Sequence, residues 1–183
     1  MSSREFEFPA IHDFPPFYTR QPTETTWQSQ AQQWMDLILQ YARHHRMFTL
    51  SLHQATSPGE SPLFENARLQ RRLSEETLQE IVELMVQQGT AKWDNGKSQA
   101  LLFWHKAEDW AEILLQWVNK CGLNNTIVTF YEITQGDLAV DQEFYGMPAS
   151  VLQVCLQVLV KRGVAQIFKG SGDSDDMGIK FFQ

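Results

Sequence analysis

Any chemistry in this chain has to begin from its histidines, its cysteines, one acidic run and one proline-rich motif. The five histidines are His12, His44, His45, His53 and His105. None forms an H-x-x-x-H pair with a third ligand, so the spacing predicts no tetrahedral metal site. His44-His45 falls instead at the end of a helical pattern, where a cation or an N–H donor meets the terminal carbonyls. Asp173-Ser174-Asp175-Asp176 offers carboxylates in the alternation a calcium loop uses. The bidentate glutamate at the twelfth position of such a loop has no counterpart, and the run reads as a hairpin tip. Cys121 and Cys155 lie inside helical apolar patterns, where a thiol acts as a small hydrophobe, and are expected to be reduced thiols of a cytosolic protein. In that compartment the glycosylation sequon Asn124-Asn125-Thr126 has no consequence. The sequence has no nucleophile elbow, no phosphate-binding glycine loop and no carboxylate pair with an evident cleft. It therefore predicts no catalytic residue, no metal and no cofactor, and the chain is not expected to be an enzyme.

A second kind of chemistry, recognition, is concentrated near the N-terminus. Phe6, Phe8, Pro9, Phe14, Pro15, Pro16, Phe17, Tyr18 and Pro22 crowd into residues 1–24 with no helical period. Proline fixes φ, lacks a donor and drives its neighbours to extended geometry, so the segment is not expected to build a core of its own. It is expected to stand out as an arm whose exposed Pro15-Pro16-Phe17-Tyr18 fills pockets on another protein at low ordering cost. Folding back onto the first domain is the other course open to it. The same four residues fit the Pro-Pro-x-Tyr signature of WW-domain ligands, which leaves a WW-binding adaptor as an alternative function.

The elements that would carry these groups repeat. Trp34-Met35-Asp36-Leu37-Ile38-Leu39-Gln40-Tyr41 matches Trp110-Ala111-Glu112-Ile113-Leu114-Leu115-Gln116-Trp117 in pattern, an aromatic followed by apolar residues at i+3 and i+4 and an aromatic at i+7. Further on, Leu78, Ile81, Val82, Met85 and Val86 match Leu152, Cys155, Leu156, Leu159 and Val160. Ser74 and Pro148 mark the starts of these later helices, and Gly89 and Gly163 mark their ends. Each later helix is followed by a hairpin pattern, Thr90 to Trp104 and Val164 to Phe182, and preceded by a β-prone piece, Met47 to Leu52 and Thr126 to Ile133. Helix, strand, short helix, helix and hairpin make a winged helix. The predicted fold is α+β and mainly helical, with two tandem winged-helix domains bearing small antiparallel wings, at 25–105 and 106–183.

Length and charge agree with that plan and restrict the partners. At 183 residues and 43% hydrophobic, the chain can bury cores without a metal or disulfide. Its net charge of −7 and pI near 5.2 repel nucleic acid and anionic lipid. The first of the two later helices carries Glu75, Glu76, Glu80 and Glu83 with no Lys or Arg, and the second has no charge before Lys161. A DNA-reading helix needs the opposite, so DNA binding, the usual work of this fold, is disfavoured. Arg68, Arg71 and Arg72 read as a solvated or ion-paired face. No apolar run approaches the length of a membrane span, so membranes are expected to be reached only through partners.

Phe14-Pro15-Pro16-Phe17-Tyr18-Thr19-Arg20-Gln21-Pro22 resembles the N-terminal motif of the small subunit of the endosomal sorting complex ESCRT-II, the vacuolar protein-sorting-associated protein 25 family. Leu63-Phe64-Glu65-Asn66, Asn125 to Glu132, Glu143-Phe144-Tyr145-Gly146-Met147 and Gly178 to Phe182 resemble that family in the same order. The resemblance implies a cytoplasmic, non-enzymatic subunit, present in two copies beside two larger winged-helix subunits and recruited peripherally to endosomal membranes. It implies docking onto those subunits through the first domain and the arm, carried here by Pro15, Pro16, Phe17 and Tyr18. It implies recruitment of an ESCRT-III subunit by the second domain, in sorting of ubiquitinated cargo into multivesicular bodies. Some relatives have a second Pro-Pro-x-Tyr upstream, where this chain has Phe8-Pro9-Ala10-Ile11, with one proline and no tyrosine. On this reading, alanine at Pro15, Pro16 and Tyr18 weakens docking and leaves the fold intact.

Overall fold

One order of elements is built twice. The computed structural model describes residues 4–170 and 177–182, and the chain divides into two units, Met1–Trp104 and His105–Gln183. The first unit contains α1 (Glu24–His45), β1 (Thr49–Ser51), α2 (Leu52–Ala55), β2 (Glu65–Asn66), β3 (Arg71–Arg72), α3 (Glu75–Gln88), β4 (Ala91–Asp94) and β5 (Gln99–Leu102). The second contains α4 (Ala107–Cys121), β6 (Ile127–Thr129), α5 (Phe130–Gln135), α6 (Ala149–Lys161), β7 (Ala165–Phe168) and β8 (Gly178–Phe181). Each unit closes an antiparallel three-stranded sheet with the hairpin's second strand in the middle, in the orders β1-β5-β4 and β6-β8-β7. Both are winged helices.

The paired helices stop by one mechanism. Gly89, at φ 81°, lets its own N–H reach Val86 O at 3.1 Å and the Thr90 N–H reach Met85 O at 2.9 Å. Gly163, at φ 74°, does the same with Val160 O at 3.0 Å, while Val164 N–H reaches Leu159 O at 3.1 Å. The last carbonyls of α3 and α6 are satisfied in this left-handed turn, which glycine enters without a Cβ penalty. At the other end of α3, Ser74 Oγ accepts from Thr77 N at 3.2 Å, as the cap reading required.

The apolar stripes read from the sequence face inward. Trp34, Leu78, Ile81, Val82 and Met85 are fully buried in the first unit, as are Trp110, Leu152, Cys155, Leu156 and Leu159 in the second. Burial raises the Cys155 thiol to about 12, so it remains an inert S–H.

Two expectations need correction, and one element was not foreseen. The β-prone stretches are longer in the sequence than in the structure. Thr129 ends β6 because its hydroxyl accepts from Glu132 N at 3.1 Å while Glu132 Oε2 accepts from Thr129 N at 2.7 Å, a capping box that starts α5. The short β2–β3 pair, Glu65 opposite Arg72, has no sequence signal of its own. Most consequentially, the N-terminal segment does not stand apart: Phe17 and Tyr18 are part of the first unit's core. Burying two large aromatic side chains against α1 outweighs leaving them in water, at ~1.5–3 kcal/mol for a large apolar side chain. The Asp173 to Asp176 run lies outside the described residues.

Candidate functional site

The segment from Phe6 to Gln21 packs onto the first unit. Two short 3-10 turns, Ala10–Asp13 and Pro15–Tyr18, fold it across α1. Proline at the start of the second turn has φ already set and no N–H to leave unpaired, so Pro15-Pro16 suits that position. The Phe17 ring lies flat on Trp34, with centroids 4.0 Å apart and planes 3° from parallel, and the Trp34 indole N–H donates to Phe17 O at 2.9 Å. Tyr18 donates its hydroxyl to His12 O at 2.7 Å, and burial raises its phenol pKa to about 12.

His12 and Asn66 latch the first turn down. The buried His12 ring donates from Nε2 to Leu63 O at 3.1 Å and stacks on Phe8 at 4.2 Å. Desolvation lowers its pKa, favouring the neutral ring. Asn66 Nδ2 donates to His12 O and to Asp13 Oδ1, both at 3.0 Å. That bond, with the Arg68 contact at 2.5 Å behind it, holds the exposed Asp13 carboxyl below the usual carboxylate range. Arg20 bonds Glu80 at 2.6 Å and lies over the Trp27 ring at 4.6 Å. The upstream Phe8-Pro9-Ala10-Ile11 stretch also packs on this unit, with Phe8 and Ile11 partly buried against the core.

The four residues predicted to meet a partner are thereby divided. Pro15 and Pro16 are exposed, whereas Phe17 and Tyr18 face the protein's own interior, at 2% and 4% exposure. The residue the motif reading omitted is Phe14, which is 53% exposed. It flanks an open groove of about 390 Å³ between the arm and α1, lined also by Ile11, Pro16, Thr26 and Gln33. An aromatic directly before Pro-Pro was the available signal, overlooked because the four-residue signature begins one position later. The geometry does not suit a WW ligand, which is read as extended polyproline with accessible side chains. Here the motif is a 3-10 turn and its tyrosine is internal.

Residues 11–148 match the family described as "ESCRT-II complex subunit". Vacuolar protein-sorting-associated protein 25 of Bos taurus is 39% identical over 178 residues, covering 97% of this chain and 98% of the relative. The Arabidopsis thaliana protein of the same name is 34% identical, covering 97% and 96%. A solved structure of subunit VPS25 of the endosomal trafficking complex ESCRT-II superposes with a TM-score of 0.83 at 31% identity, covering 94% of this chain and 98% of that one. A chain in the crystal structure of the endosomal complex ESCRT-II (VPS22/VPS25/VPS36) gives 0.81 at 31% identity, covering 99% and 100%. The chain belongs to the vacuolar protein-sorting-associated protein 25 family of ESCRT-II subunits.

This ESCRT-II subunit has a second exposed apolar surface, in its other unit. Ile127, Tyr131 and Leu138 are 62%, 52% and 62% exposed around a groove of about 570 Å³. Trp117 forms part of the groove's lining, donating its indole N–H to Leu138 O at 3.1 Å, and Glu132 and Asp137 make the rim acidic. Ile127 comes from β6, Tyr131 from α5 and Leu138 from the turn that follows α5, and the periodicity of these short segments did not reveal an outward apolar side. On α3, Glu75, Glu80 and Glu83 pair with His53, Arg20 and Lys97, so the acidic helix of this ESCRT-II subunit is engaged within its own unit. Among the described residues, no group of three or more His, Cys, Asp or Glu is placed to hold a metal ion. No helix among them is long and apolar enough to cross a membrane.

Proposed function

We propose that this chain is a structural and adaptor subunit that docks onto the larger ESCRT-II subunits through its arm and first domain. One observation carries the reading: a large aromatic, Phe14, is held half-exposed beside Pro15 and Pro16 on a segment otherwise tied to a folded unit. A side chain presented on an ordered backbone binds without the entropic cost of ordering the segment first. Phe14, Pro15 and Pro16 make the contact, and Phe17 and Tyr18 act as anchors beneath it. The partners correspond to the VPS22 and VPS36 named with the related solved complex. Two copies of this chain serve each complex, which is recruited from the cytoplasm to endosomal membranes for cargo sorting into multivesicular bodies.

The second domain recruits an ESCRT-III subunit in the same scheme. Its groove, apolar with the acidic Glu132 and Asp137 at the rim, matches an amphipathic helix carrying basic flanks. The test uses the full chain with one change per surface. Phe14→Ala should cut co-purification with the larger subunits, a buried aromatic anchor carrying ~2 kcal/mol or more, with an unaltered thermal melt. Tyr131→Ala should spare that capture and weaken binding of the ESCRT-III helix. Wild-type capture by Phe14→Ala would remove the docking reading, and equal loss of both partners in either variant would remove the division between the two surfaces.

A further inference from the structure

The arm raises a hydrogen-bonding problem that one buried side chain, set beside two other donors, answers at four backbone atoms. Between Pro16 and Gln21 the backbone is neither helix nor strand beyond a single 3-10 turn, so its carbonyls rely on side-chain donors: Gln21 Nε2 reaches Pro16 O at 3.0 Å and Thr19 O at 2.9 Å from within the segment, and Trp34 Nε1 reaches Phe17 O at 2.9 Å from α1. Gln30, on α1 one turn before Trp34, is 5% exposed and meets that need. Its Nε2 donates to Phe17 O and Thr19 O at 2.9 Å each, with Pro16 O at 3.3 Å, and its Oε1 accepts from Gln21 N at 3.1 Å. A primary amide is the side chain that supplies two donors and an acceptor at one point without a charge. Leucine or methionine would fill the space but take this acceptor from Gln21 N and leave the three carbonyls to the donors of Trp34, Gln21 and Thr19; glutamate would aim carboxylate oxygens at three carbonyls.

We propose that Gln30 is the positioning residue of the docking arm: its buried amide fixes the path of Pro16 to Gln21 over α1, and through Pro15 and Pro16 it sets the outward aim of Phe14. The inference rests on the docking reading for its consequence, but the hold on the arm can be measured without a partner. Trp34 stands beside Gln30 and donates its indole N–H to Phe17 O, so the Trp34 indole N–H resonance reports whether the arm is seated. Trp93, whose indole N–H donates to Glu83 Oε2 at 3.1 Å, reports on the rest of the first unit.

The experiment compares wild type, Gln30→Met, Gln30→Glu and Phe14→Ala in the full chain by NMR, amide exchange and capture of the larger subunits. Gln30→Met should displace the Trp34 indole signal, speed exchange at Phe17, Thr19 and Gln21 by ~10–100-fold, and reduce capture, while the Trp93 signal stays in place. Gln30→Glu should do the same near neutral pH and recover on acidification. A protonated carboxyl regains one donor for the arm while still accepting from Gln21 N, so the Trp34 signal and the exchange protection of the arm should return together. Unchanged Trp34 signals and exchange in both Gln30 variants would overturn the proposal. So would joint loss of the Trp34 and Trp93 signals in both, which would make Gln30 a general core residue. Phe14→Ala should lose capture with every signal in place; if it keeps capture, the docking reading falls while the hold of Gln30 on the arm stands.

Discussion

Trp34 and Trp110 occupy matching places on α1 and α4, and each is fully buried, but different parts of the chain bury them. Phe17 from the N-terminal arm stacks on Trp34, whereas His105, at the entrance to α4, meets Trp110 edge-on at 4.7 Å. The second aromatic of each stripe repeats the contrast. Tyr41 is packed by Phe6 at 5.1 Å, again from the arm, while Trp117 is packed by Phe144 at 5.2 Å from the segment between α5 and α6. A winged helix thus leaves part of its first helix uncovered, and the cover is not part of the repeat. The second unit closes over its own aromatics; the first borrows a segment from outside the repeat. Because that segment is needed for the core, its other side is held in a fixed place, with Phe14, Pro15 and Pro16 outward.

The strongest test of this difference is to remove both tryptophans in turn. Trp34→Ala and Trp110→Ala should each cost ~3–5 kcal/mol through lost burial and a cavity. Trp34→Ala should in addition release the arm, seen as rapid amide exchange from Phe14 to Gln21, and Trp110→Ala should leave the arm protected. If the arm exchanges equally in both, the cover is not specific to the first unit.

A smaller effect separates packing from hydrogen bonding at Tyr18. Tyr18→Phe keeps the ring and removes the hydroxyl's bond to His12 O, which retains Asn66 as a donor, so the loss should be near ~1 kcal/mol in a thermal or denaturant melt. Tyr18→Ala removes the ring as well and should cost ~3–5 kcal/mol. From the sequence, alanine at Pro15, Pro16 and Tyr18 is expected to spare the fold. Equal costs for the two variants would mean that the hydroxyl, and not the ring, seats the arm.

The parts legible in the sequence were those set by local periodicity. Two stripes with aromatics at i and i+7, and two glycine stops that became the same left-handed turn, were sufficient for the tandem winged helices. The arm was harder because proline-rich segments carry no period, and nothing local states whether Phe17 faces a partner or the chain's own Trp34. That outcome depends on Phe64, Asn66 and Leu63, about fifty positions downstream, which stack on Trp34 at 5.8 Å, bond His12 O, and accept from His12, respectively. Gln30 was invisible for a related reason: a glutamine on an amphipathic helix reads as a solvent-facing residue. The groove on the second unit was missed because exposure of Ile127 and Tyr131 is a fact about neighbours that are lacking.

The smallest effect predicted is on pH dependence, and it falls on the first unit alone. Burial lowers the His12 pKa, so the folded protein binds fewer protons at this ring than the unfolded chain does. Its contribution to stability is therefore fully present above the ordinary histidine value of about 6.5 and is lost as pH falls through that value toward the lower folded one. Asp13 does not interfere in this window, because its carboxyl is held below the ordinary carboxylate range and stays ionised throughout. His45 is also lowered, by burial and by His44 beside it, so the whole-protein curve mixes two histidines. Comparison with His12→Gln isolates one of them: the amide can still donate to Leu63 O but does not titrate. The advantage of wild type over His12→Gln, measured by denaturant melts from about pH 7.5 to about pH 5, should shrink as the solution is acidified. Exchange protection at Asp13 and Phe14 should follow it, while protection across α6 stays level between the two proteins. An advantage that is flat or grows toward acid would mean that His12 accepts its proton within the fold, and that the latch under the arm does not depend on a neutral ring.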